Sequence, residues 1–194
     1  MRNLRTAVLV GLAALTAWGF AERYAGTLAP TSRVVYDASA GSEVWRGVAP
    51  ARMSRFTLDD TRLATASLQI LVAADAFDSG NYFRDRNARI VTFESETFPD
   101  IVFDAVTVTP AAEGDLPPDA VRAATVSGRL TLHGVTRTVA VPIELVRSGD
   151  EVRVTGGFDV SLAAYGMRTP SVLFRTVDDG VRVSFELVVE LARP

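Results

Sequence analysis

The stretch Val126–Val141, VSGRLTLHGVTRTVAV, alternates apolar and polar residues on both sides of a His-Gly pair and holds the single histidine of the chain. Val126, Gly128, Leu130 and Leu132 share one parity, and Ser127, Arg129 and Thr131 share the other. In an extended strand successive side chains point to opposite faces, so the pattern gives one dry face and one wet face. It resumes after His133-Gly134, where Val139, Val141, Ile143 and Leu145 alternate with Thr138, Ala140, Pro142 and Glu144. Two such runs joined by two residues read as an antiparallel hairpin. His133 has no carboxylate beside it in sequence and no second histidine to share a metal, so it reads as a solvated turn residue.

The same period recurs at the C-terminal end, where Val181, Val183, Phe185, Leu187 and Val189 alternate with Arg182, Ser184, Glu186 and Glu190. Further runs bounded by turn residues give ten candidate strands: Arg33–Ala38, Glu43–Ala49, Arg52–Leu58, Ala64–Ala74, Ile101–Thr109, Ala123–His133, Thr136–Arg147, Glu151–Leu162, Ser171–Val177 and Val181–Leu191. Long antiparallel strands with one apolar face must close on themselves or pair with a second sheet. Short turns at His133-Gly134, Ser148-Gly149-Asp150 and Asp178-Asp179-Gly180 favour up-and-down closure, hence an all-β barrel. Ala76–Pro99 lacks alternation and is expected to carry a short helical insertion capped by Asp78-Ser79. Pro110–Val121 reads as a polar hairpin loop.

Composition bounds the chemistry. The chain has 194 residues, 48% of them hydrophobic and 22% charged, enough for one domain with a substantial core. Its net charge of -3, with arginines scattered among acids, argues against a nucleic-acid surface. All 20 basic residues are arginine, a bias expected of a high-GC bacterial genome. The absence of cysteine excludes disulfides, thiolate metal sites and thiol nucleophiles. No metal-binding loop and no G-x-S-x-G nucleophile motif is present. Arg2 and Arg5 precede the apolar run Thr6–Phe20, which is shorter than the roughly 20 residues of a membrane span. Residues 1–21 are therefore expected to be a signal peptide, with an uncleaved N-terminal anchor as the alternative. A linker over 22–32 and a barrel domain over 33–194 follow. The expected location is periplasmic or secreted, or anchored to the inner membrane and facing the periplasm.

The acidic pairs Asp59-Asp60, Glu94/Glu96 and Asp178-Asp179 fall in turns or polar segments, where solvation explains them. Arg84-Asp85-Arg86 has two readings: an arginine–carboxylate pair that fixes the insertion against a barrel mouth, or a surface ion pair worth under about 1 kcal/mol. The aromatic residues, among them Tyr36, Trp45, Phe77, Phe93, Phe103, Phe158, Phe174 and Phe185, form either a plain core or part of a ligand cavity.

Three pieces of sequence carry a resemblance: Phe83-Arg84-Asp85 in the insertion, FPDIVF at Phe98–Phe103, and VSGRLTLHGVTRTVAVPI at Val126–Ile143. From about Thr31 to Leu191 the chain resembles the YceI-like family of exported lipocalin-like barrels associated with polyisoprenoid binding. The family often continues the Arg-Asp step as x-His-Leu, whereas Arg86-Asn87-Ala88 stands here. The resemblance implies an up-and-down barrel of about eight strands, so two of the ten candidates should be parts of a longer strand or loop. It also implies an amphiphile with its apolar tail inside and its head group near the mouth. The candidate ligand contacts are then Tyr36, Leu68, Ile70, Phe103, Leu130, Phe158, Phe174 and Phe185 along the barrel, with Phe83, Arg84 and Asp85 in the insertion. The expected partner is an isoprenoid lipid or quinone-like amphiphile, with membrane-surface contact and no nucleic acid, metal or catalytic residue. The alternatives are an exported enzyme or stress-response accessory on the same barrel, or an interaction module with a filled core.

Overall fold

The computed structural model describes residues 23–59, 62–112, 116–172 and 175–192. The expected signal or anchor segment lies outside them. In chain order the strands are β1 (Arg23–Leu28), β2 (Arg33–Ala40), β3 (Glu43–Pro50), β4 (Arg52–Asp59), β5 (Ser67–Ala73), β6 (Asp100–Pro110), β7 (Val121–Leu132), β8 (Val135–Ser148), β9 (Glu151–Ser161), β10 (Ser171–Val172), β11 (Arg175–Thr176) and β12 (Gly180–Ala192). Antiparallel pairing runs β1-β4-β5-β6-β7-β8-β9-β12 and returns from β12 to β1, so the sheet closes.

One edge of β12 pairs with β9 along Gly180–Glu190. Its other edge is shared, with Arg182–Glu186 on β2 and Val189–Ala192 on β1. β1 and β2 are thus successive segments of one stave, and β3 and β4, separated by Ala51, form its neighbour. The expected barrel of about eight strands is what the chain builds. At the break in the first stave, Val188 is held by a side chain in place of the ladder. Its N–H donates to Ser32 Oγ at 3.0 Å, and its carbonyl accepts from the Ser32 hydroxyl at 3.3 Å and from Ala29 N–H at 2.8 Å. Ser32 is 1% exposed. Ser32→Ala removes a partner that water cannot replace and is expected to cost about 1–3 kcal/mol, read as a lower denaturant midpoint at unchanged slope.

Three expectations are corrected. The segment 22–32, read as a linker, contains β1, the strand that closes the barrel. Its alternation is hidden because the position between Tyr24 and Leu28 is Gly26, where a Cβ would lie 2.6 Å from Val189 and 2.9 Å from Phe56. The candidate strand Ser171–Val177 is instead the two-residue pair β10 and β11. The helix α1 (Tyr82–Asn87) is capped by Asn81, whose side chain accepts from Arg84 N–H at 3.1 Å, and not by Asp78-Ser79. α1 runs on into a π-helical turn at Ala88–Thr92.

The two poles of the barrel differ. At one pole Leu63 and Leu116 join Tyr24 and Leu58 in a buried cluster that forms a floor. Leu116, 4% exposed, comes from the connection read as a polar loop. The other pole carries the β2–β3 tip, the insertion with α1, the His133-Gly134 turn and the β9–β12 connection.

Candidate functional site

Between the poles the inward residues do not meet. On β12, Val181, Leu187, Val189 and Leu191 are buried, while Val183 and Phe185 between them are only half-buried. Val154 and Phe158 on β9, Ile101 and Phe103 on β6, and Val34 on β2 behave alike. They line a cavity of about 750 Å³ that reaches from Leu63 and Val108 near the floor to Phe83 and Arg84 at the mouth. Such a volume falls in the range of small-molecule sites, roughly 300–1,000 Å³.

Glycines keep this lumen open by letting aromatic rings lie along the wall. A Cβ on Gly128 would stand 2.5 Å from the Phe103 ring, and one on Gly156 would stand 2.7 Å from the Phe185 ring. Each ring therefore occupies the place of a missing side chain on the neighbouring strand and lies along the wall.

Polarity is confined to one end. Among the described residues, the polar side chains lining the cavity are Glu43, Asn81, Arg84, Asn87 and Thr92, from the β2–β3 tip and the insertion, together with the tips of Tyr36 and Trp45. Below them Tyr36, Phe77 and Phe93 form an aromatic wall: Phe77 lies 5.2 Å from Tyr36 and stacks on Phe93 at 5.4 Å. Met167, Pro170 and Val177 complete the rim from the β9–β12 connection. Burial raises the Tyr36 phenol above its ordinary pKa, and the charge of Asp85 adds to the shift. The raised value means that Tyr36 contributes fully to stability below the unfolded tyrosine pKa of about 10 and that this is lost as pH rises through the folded value. Tyr36→Phe is therefore expected to lose less stability than the wild type between neutral and strongly alkaline pH, as measured by urea unfolding across that range.

The structure brings Tyr36, Leu68, Ile70, Phe83, Arg84, Phe103, Leu130, Phe158 and Phe185 into the cavity lining. Phe174 lies outside the described residues. Asp85 is not part of the lining. Arg84 and Asp85 leave the helix in different directions, so they do not form an ion pair with each other. They meet through Ser79 instead: Asp85 accepts from Ser79 N–H at 3.0 Å and from its hydroxyl, while Arg84 donates to Ser79 Oγ at 2.8 Å and to its carbonyl at 3.0 Å. Arg84 also lies over the Trp45 ring at 5.4 Å. Buried Asp85 and Arg84 thus fix the approach to α1 together, and Arg84 also lines the mouth.

His133 is not the solvated residue expected. It holds the turn, with φ of 51° followed by 73° at Gly134, but its side chain is 11% exposed. The insertion folds back over it, placing Phe98 4.2 Å from the imidazole and Glu94 Oε1 3.7 Å from Nε2. Asn81, Asn87 and the β9–β12 rim were missed in the sequence. An asparagine three residues before Arg84 is a cap signal that could have marked the first of them.

A closed antiparallel barrel with an apolar lumen and a polar mouth defines a lipocalin-like class of protein. The YceI-like domain family matches residues 29–189, and the chain belongs to that family. Two UPF0312 proteins, from Vibrio campbellii and Vibrio parahaemolyticus, are each 27% identical over 97 residues, covering 50% of this chain and 47% of theirs. The chain thus spans about half the length of the curated relatives it matches. Among solved structures, Burkholderia cenocepacia BcnA superposes with a TM-score of 0.68 at 22% identity, over 81% of this chain and 95% of that one. A polyisoprenoid binding domain from Saccharophagus degradans, implicated in plant cell wall breakdown, gives 0.62 at 16% identity, over 90% and 100%. The Campylobacter jejuni YCEI protein gives 0.58 at 14% identity, over 74% and 82%. These likenesses establish the fold.

Proposed function

We propose that the protein is an exported, non-enzymatic carrier or store for an isoprenoid-type amphiphile. The observation that carries this reading is the cavity itself, about 750 Å³, apolar along its length and polar only at its mouth. An unbranched run of apolar lining suits a chain: each methylene taken from water contributes about 0.8 kcal/mol. A head group left at the opening meets Arg84, Asn81 and Asn87. A catalytic reading would need a nucleophile or an acid–base pair aimed into the lumen, and the mouth offers positioning groups instead. The name of the Saccharophagus degradans neighbour supports the ligand class.

Native mass spectrometry of the purified protein is the direct test. An apolar adduct released by solvent extraction, with a mass series spaced by isoprene units, is the expected result; a lipid-free protein that takes up no added polyisoprenoid defeats the reading. Export is read separately from the N-terminal sequence of the periplasmic protein, expected to begin near Glu22. Recovery in membranes with Met1 intact selects the anchor.

A further inference from the structure

Around the cavity mouth the protein exposes large apolar side chains on both sides of the opening. Tyr82, Phe83 and Ile90 of the insertion are 67%, 80% and 57% exposed, and Val44, at the β2–β3 tip beside the mouth residues Glu43 and Trp45, is 70% exposed. Tyr82, Arg86 and Ile90 recur at steps of four and form one outward stripe, while Arg84, Asn87 and Ala88 turn toward the cavity. Single exposed apolar residues need no explanation; four gathered at the entrance to an apolar lumen do. The stripe carries one charge, that of Arg86. Arg86 is exposed and makes no hydrogen bond or ion pair among the described residues, whereas Arg89 lies in a shallow groove with Asp75 and Asp78. Asp85, the one carboxylate of α1, is buried against Ser79.

We propose that this rim docks on a bilayer surface containing anionic phospholipid, with Tyr82, Phe83 and Ile90 in the interfacial layer and Arg86 against lipid phosphate. Amphipathic rings and arginine are the side chains suited to that layer, one end apolar and the other wet. The inference rests on the cavity reading above, since docking there sets the lumen against the lipid surface and spares an apolar cargo passage through water.

The chain has no cysteine, so a polarity-sensitive dye can be placed singly at Ile90→Cys or, as a control at the floor pole, at Val121→Cys, which is 63% exposed. On vesicles of phosphatidylglycerol and phosphatidylcholine the dye at position 90 is expected to shift to the blue and the dye at 121 to stay unchanged. Arg86→Gln is expected to weaken the response about fivefold on these vesicles and to leave it unaltered on phosphatidylcholine alone. Tyr82→Ser with Phe83→Ser should abolish it. A silent dye at 90, or equal shifts at both positions as an N-terminal tether would give, overturns the docking rim. If lipid co-purifies in the cavity while the dye at 90 stays silent, this inference fails alone. A responding dye at 90 on a protein whose cavity cannot be loaded overturns the cavity reading and leaves the docking surface standing.

Discussion

Val154→Trp is expected to abolish lipid retention while the barrel stays folded. Val154 sits on β9 at mid-height, paired with Leu145 on one side and Leu187 on the other, and its half-buried side chain faces the lumen. In a packed interior a valine-to-tryptophan change would cost about 1–3 kcal/mol or more through overpacking. Here the indole enters space already empty, so the delipidated variant should unfold close to the wild type. What it loses is the ligand's contribution: a lipid present at 100 times its dissociation constant adds about 2.7 kcal/mol to the bound form. The check is thermal unfolding of both proteins with and without polyisoprenoid. A variant that still gains the full shift shows the ligand lying elsewhere.

The strands with clean alternation, β7, β8 and β12, were legible because their parity survives over most of their length, and burial follows it along Val121–Leu132. β1 was not legible, since Gly26 removes the inward side chain that would have carried the period. The cavity was beyond sequence for a different reason. An inward face of Val, Leu and Phe reads the same whether the space in front of it is filled or hollow. Hollowness depends on where the rings lie, and that is set between strands, by Gly128 against Phe103 and Gly156 against Phe185. Two of the stretches that carried the family resemblance meet in space for the same kind of reason, with Phe98 covering the His133-Gly134 turn and Phe103 covering Gly128. At the mouth, Phe83 and Arg84 line the cavity and Asp85 does not, which adjacency in sequence does not reveal. A helix separates neighbours, and here both reach Ser79 but only Arg84 also lines the mouth.

The hollow barrel separates two classes of truncation that a filled core would not. Leu58, 4% exposed, belongs to the floor cluster with Tyr24 and Leu63 and lies off the cavity. Leu58→Ala removes contacts on every side and is expected to cost about 2–5 kcal/mol in delipidated and lipid-loaded protein alike. Phe185 lies against Gly156 on one face and opens to the lumen on the other. A fully packed phenylalanine cut to alanine costs about 3–5 kcal/mol, but a ring with one face on a void has already forgone part of that dispersion and burial. Phe185→Ala should therefore cost less than Leu58→Ala in delipidated protein despite removing more atoms. In loaded protein the order should narrow or invert, since the widened lumen grips the chain less closely and part of the holo stabilisation disappears with it. Denaturant unfolding of the wild type and both variants, delipidated and reloaded, gives six curves. If Phe185→Ala costs its full packed value without lipid, and reloading shifts none of the curves, the lumen is closed in solution and the barrel carries no lipid.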